Sequence, residues 1–183
     1  MGRYTPADES TGGGNYLKLK ALDNGPIKFR VMSEPATGYE CWTKENKPVR
    51  RDSLAALLEA KPAGGWRVEN GEEDRPKFFV AFFVWNHNEK AVQVAMFPQK
   101  TVRQQLDALE ENEDWGELTG YDLTISRVKS GDKVTYTIQP SPAKPLPKDA
   151  AAAWAEVEGQ AVGLAALFSD GNPFQPFNEA APF

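Results

Sequence analysis

The run KFFVAFFVWNHNEKAVQVAMF, residues 77–97, restricts this chain more than any other stretch. Two apolar runs flank Asn86-His87-Asn88-Glu89, a cluster of turn-forming residues, and the arrangement predicts a β-hairpin. The first run is apolar on both faces of its strand. Val80, Phe82 and Val84 point one way; Phe79, Phe83 and Trp85 point the other. A half-exposed sheet would be polar on one side. Either a second element covers that face, or it is an aromatic platform open to a ligand.

The neighbouring segments supply further strands. In PIKFRVMS, Ile27, Phe29 and Val31 alternate with Lys28 and Arg30, the pattern of a half-buried strand. Gly38 to Trp42 extends or follows it after Pro35. Residues 44–77 read as a long excursion with a short helix after Asp52, Leu54, Leu57 and Leu58 on one side. Pro98 opens a helix in which Val102, Leu106 and Leu109 recur at helical spacing. A second hairpin pairs Tyr121, Leu123 and Ile125 with Val134, Tyr136 and Ile138 around Ser130-Gly131-Asp132. Pro140 ends it, and PSPAKPLPK is a stiff linker. From Asp149, Trp154, Val157, Ala161, Leu164 and Phe168 mark one helix face, which docks on its own sheet or pairs two chains.

The order is strand, long excursion, strand, strand, helix, strand, strand. It is the order of a mainly β, five-stranded OB-fold barrel, with its helix between the third and fourth strands and a long insertion between the first two. The organisation expected is a polar N-terminus (1–14), a barrel (15–140), a Pro-rich linker (141–148), a C-terminal helix (149–168) and a tail (169–183). Residues 44–77 and 128–133 then correspond to the loops with which such barrels grip oligonucleotides.

Charge and composition exclude several classes. No apolar run reaches the ~20 residues of a membrane helix, and the N-terminus lacks the apolar centre of a signal peptide. With Cys41 the only cysteine, neither a disulfide nor a thiolate metal site is expected, and the reading is cytoplasmic. The only histidine, His87, reads as a turn residue, so a catalytic triad lacks its base. The carboxylates at 72–74 and 110–117 read as solvated faces rather than a two-metal nuclease site, and no P-loop occurs. Neither an enzyme nor a cofactor is expected. The net charge is −5, yet every Lys and Arg lies at or before Lys148. The body is near neutral with a basic first half, and the C-terminal end is acidic.

Five Trp, five Tyr and ten Phe accompany those basic residues. Single strands need cations for phosphates and flat π-faces for bases, each stacked base contributing about 1–3 kcal/mol. The reading assigns stacking to Tyr39, Trp42, Trp66, Phe83 and Trp85. Phosphates are assigned to Lys28, Arg30, Lys47, Arg50, Arg51, Lys77 and Lys100.

Several pieces carry a family likeness: Lys47-Pro48-Val49-Arg50, the strand end Val84-Trp85-Asn86, Gln99-Lys100-Thr101, and Trp115-Gly116 before Tyr121-Asp122. Across residues 15–148 the chain resembles the phage and prophage single-stranded-DNA-binding proteins with an OB-fold core. The resemblance implies sequence-tolerant ssDNA binding in phage replication or recombination, in the host cytoplasm. Bacterial ssDNA-binding proteins typically end in an acidic tail closing on Pro-Phe, whose terminal Phe partner enzymes capture. Pro182-Phe183 matches that ending, although Asp170 and Glu179 are sparse and Phe174 and Phe177 are extra. The tail reads as a recruiter of replication or recombination proteins, or as an occupant of the DNA surface. The alternatives are an RNA-binding OB module, a protein-interaction module that mimics DNA, and a nuclease.

Overall fold

Alternating Ile27, Phe29 and Val31 do form a strand with those three side chains buried, and similar patterns build most of the chain. The structure, a computed structural model, describes residues 15–160 and 163–174. In chain order its elements are β1 (Ile27–Val31), β2 (Ala36–Trp42), β3 (Pro48–Arg51), α1 (Leu54–Glu59), β4 (Val68–Glu69), β5 (Glu72–Glu73), β6 (Lys77–Asn86), β7 (Ala91–Phe97), α2 (Lys100–Glu111), β8 (Asp122–Ser130), β9 (Lys133–Pro140) and α3 (Lys148–Gln160). The protein is mainly β, with antiparallel strands in a sheet that does not close, and a few helices. No described helix is long and apolar enough to cross a membrane.

The chain divides into two compact units. The first takes residues up to Glu34 together with Phe82–Glu156. In it β1 lies between two antiparallel partners, with Phe29 opposite Asn86 on β6 and Leu123 on β8. β7 pairs with β6, as the Asn86–Glu89 turn predicts. Phe29, Val31, Val84, Val94, Phe97, Val102, Leu106, Leu123 and Ile125 are buried here. Removing their apolar surface from water drives the packing, at roughly 1.5–3 kcal/mol per large side chain.

The second hairpin is longer and differently registered than its sequence suggests. Ile125 faces Ile138, Arg127 faces Tyr136 and Lys129 faces Val134, while Tyr121 precedes the strand. The turn is the two-residue Gly131-Asp132, with Gly131 at a φ of 61°, which a side chain would resist. β9 pairs only with β8 among the described strands. Its free side meets α2, where the Gln105 side chain donates to the Tyr136 carbonyl (3.0 Å) and accepts from the Ile138 N–H (2.9 Å). Pro98 does not open α2; Gln99 is the N-cap and the helix starts at Lys100.

The second unit takes Pro35–Ala81 and the chain from Val157. Here β2 lies between β3 and the first half of β6, with Tyr39 opposite Arg51 and Phe78. Ser53 caps α1, its hydroxyl accepting from the Ala56 N–H. Of the three leucines of α1 only Leu57 is buried, since a six-residue helix presents too narrow a face to bury Leu54 and Leu58 as well.

The expected helix over 149–168 is shorter. α3 ends at Gln160, and a 3-10 turn, Leu164–Ser169, follows Gly163 at a φ of 90°. Two glycines lower helix propensity by about 1 kcal/mol each, and the tighter turn aims its side chains differently. In the second unit Phe168 stacks on Phe79, ring centroids 6.3 Å apart. It sits over Gly38, where a Cβ would come within 2.6 Å of the Phe168 ring and 2.5 Å of the Arg51 carbonyl. Only glycine leaves room for that approach.

Candidate nucleic-acid interface

β1 turns Lys28 and Arg30 to one face, and pairing with β8 sets Asp122 opposite Arg30. Asp122 is fully buried. The Arg30 Nε donates to its Oδ1 at 2.8 Å, and Arg30 itself is only 3% exposed. His87, carried there by the β6–β7 turn, meets the same oxygen through Nε2 at 2.9 Å. Lys28 Nζ lies 3.7 Å and Lys144 Nζ 3.4 Å from Oδ2, which has no hydrogen-bond partner. Arg30 also reaches the Lys144 carbonyl through Nη2 at 3.0 Å and so pins the Pro-rich segment to the sheet. Three permanent cations face one carboxylate here, a surplus of two positive charges. Two of those cations are accessible, with side-chain exposures of 38% for Lys28 and 50% for Lys144.

Burial alone would push the Asp122 carboxyl upward, but the hydrogen bonds from His87 and Arg30 and their charge outweigh it. The net result lies below the usual carboxylate value. Between the native and unfolded values the unfolded chain binds more protons. The stabilisation is therefore complete above the ordinary carboxylate range and is lost as pH falls through the native value. Unfolding free energy measured from pH 6 downward should fall with a component that an Asp122→Asn chain lacks. Parallel profiles for the two chains would refute this.

The same face continues along the hairpin as Thr124, Ser126, Val128 and Ser130, paired with Gln139, Thr137, Thr135 and Lys133. Apart from Val128 it is a polar, hydroxyl-bearing strip that remains half-buried or exposed.

In the second unit β2 alternates in the opposite sense. Cys41 packs with Leu57 and Trp66 in a buried cluster that Tyr39 and Val49 flank. Burial, with the charge of Asp74 next, pushes the Cys41 thiol up to about 11, so it is inert as a nucleophile. Glu40 and Trp42 take the other face. The Trp42 indole N–H donates to Glu40 (3.0 Å), Arg50 pairs with Glu40 (2.7 Å), and the Arg67 guanidinium lies 5.4 Å from the Trp42 ring. The result is a half-buried indole stacked against a cation.

The assigned residues therefore separate. Lys28, Trp42, Lys47, Lys77 and Lys100 keep accessible surface. Lys77 lies 3.6 Å from Asp74. Arg50 is tied to Glu40, and Arg51 makes two bonds to Asp170, at 3.0 and 3.2 Å. Tyr39 lies edge-on to Phe78, centroids 5.3 Å apart. Four residues have no open face. Arg30 is spent on Asp122, so it positions rather than contacts a phosphate. Trp66 fills the Cys41 cluster, and Phe83 and Trp85 are buried. Phe83 packs against Trp154 at 5.5 Å, and Phe79 lies under Phe168, so at these two rings the both-sided apolar strand is covered. Phe174 is half-buried, its N–H donating to Asn172. Phe177, Pro182 and Phe183 lie outside the described residues.

Sequence reasoning missed Asp122, His87 and Lys144. Their partners are distant in the chain, Asp122 and Arg30 being 92 positions apart, and no local pattern links them. The acids at 72–74 act locally. Glu73 pairs with Lys61 and accepts from the Trp66 N–H, and Asp74 accepts from the Trp42 N–H. No cluster of three or more His, Cys, Asp or Glu among the described residues could hold a metal ion.

A scan against protein-family models found no match, and searches of curated proteins and of solved structures likewise returned none.

Proposed function

We propose that the chain is a non-enzymatic protein that binds single-stranded DNA without strong sequence preference. The observation that carries the reading is the surplus of two positive charges around Asp122, at the head of a polar sheet face. Lys28 and Lys144 hold phosphates there, and the hydroxyls of Thr124, Ser126, Thr135 and Thr137 donate along the strand. Trp42, backed by Arg67, offers the π-face. The OB-type architecture is part of this proposal, and its support is the chain order, in which α2 follows the β6–β7 hairpin and precedes the β8–β9 hairpin of an open sheet. Recruitment of replication or recombination proteins through Pro182-Phe183 belongs to it as well.

Labelled dT oligomers titrated at two salt concentrations test the reading. Affinity should fall as salt rises, and Lys28→Gln should reduce the log–log slope by about 0.7, the share of one phosphate on a single strand. Tryptophan fluorescence should be quenched on binding, and Trp42→Ala should weaken it about tenfold, within the 1–3 kcal/mol of a stacked base. Absence of binding at low salt, or binding indifferent to salt, refutes the proposal. Competition by oligo-U equal to that by oligo-dT would replace DNA with single strands of either sugar. Magnesium-dependent cleavage of the oligomers would make the chain a nuclease.

A further inference from the structure

We infer that the Asp122 cluster is a seat for a phosphate monoester dianion, the terminal phosphate of a nucleic-acid strand. The choice of strand rests on the function proposed above; the chemistry of the seat rests on its own geometry. Lys28 and Lys144 approach the same buried oxygen, so a single tetrahedral anion can bridge their two ammonium groups. Each ammonium has three N–H donors, and Asp122 can engage one of each. Neither lysine is close enough for a strong hydrogen bond to Oδ2, and that oxygen is otherwise unpartnered. Both lysine side chains are half-exposed, which leaves ammonium donors for a ligand.

The charge selects the ligand. A phosphodiester carries one negative charge, and a monoester carries about −1.5 to −2 at neutral pH. A surplus of two positive charges is matched by the monoester and only half matched by the diester. Arg30 does not touch the ligand. It neutralises Asp122 with Nε and fixes the Lys144 backbone with Nη2, which holds the second ammonium at the site.

The test uses the full chain and dT oligomers of one length with a 5′-phosphate, a 3′-phosphate or hydroxyls at both ends. One phosphorylated end should tighten binding about tenfold over the hydroxyl-ended oligomer. Lys144→Gln, an exposed substitution whose folding is checked by its unfolding midpoint, should erase that difference. Inorganic phosphate, followed by NMR, should shift the Lys28, Lys144 and His87 signals. Equal affinity for all three oligomers overturns the inference and leaves the proposed function standing. Shifts with inorganic phosphate but no binding of any oligomer would support the seat while removing its nucleic-acid source. No shift and no end effect would mean that the surplus serves only to stabilise Asp122.

Discussion

Asp122→Ala should lower the stability of this protein by about 3–5 kcal/mol, because it strands a buried guanidinium without its counter-ion. For a chain of this size that corresponds to a thermal midpoint lower by about 10 °C. The loss arises less from the attraction than from the charge left behind. Replacing both partners, Asp122→Leu with Arg30→Met, should therefore be milder than Asp122→Ala alone. Urea unfolding of Asp122→Ala, of Asp122→Leu and Arg30→Met singly, and of the Asp122→Leu/Arg30→Met double variant checks both statements. A double variant that loses the sum of the singles would show that the pair is not coupled, and an unchanged midpoint for Asp122→Ala would show that Arg30 finds another partner.

The second large effect concerns Trp66. It is 2% exposed and packs against Cys41 and Leu57, both fully buried. Its backbone is held as well, by an isolated bridge to Thr43 and by the Glu73 carboxylate. Trp66→Ala empties the largest side chain of that cluster and should cost about 3–5 kcal/mol. The unfolding midpoint should move, and the tryptophan fluorescence of the folded state should shift with it. A variant that unfolds like the parent but loses oligonucleotide affinity would restore Trp66 as a stacking residue. The contrast with Trp42 is sharp, since Trp42→Ala is expected to act on binding.

These two residues show what could be read from sequence and what could not. The β6–β7 hairpin was legible because the apolar runs and the Asn86–Glu89 turn are local signals. So were β1, the existence of α2 and the presence of a β8–β9 hairpin. Trp66 misled because Gly64, Gly65 and Arg67 surround it with loop-like sequence, while its burial comes from packing on Leu57 of α1 and on Cys41 of the more distant β2. Phe83 and Trp85 raised the right question: either the strand is covered or it is open. The answer depended on Trp154, about 70 positions away, and only folding supplies it. Register failed for a different reason. A two-residue turn at Gly131-Asp132 sets every pair of the β8–β9 ladder, and counting Ser130 into the turn as a third residue shifts the partners by one. The Asp122 cluster was half legible. Lys28 and Arg30 were recognised as cations on one face, but the carboxylate that collects them, and the linker lysine that Arg30 fixes in place, are tertiary facts.

The carboxamide of Gln105 has a consequence for how copies of this chain behave together. It presents to β9 the same donor and acceptor that a peptide unit would, so a helix offers counterfeit backbone where a further strand could have joined. Two groups of that edge are already answered, and Lys129 and Lys133 hold like charge near its tip. Copies of this chain at high local concentration therefore find two backbone groups of this edge already occupied, which disfavours strand addition between molecules.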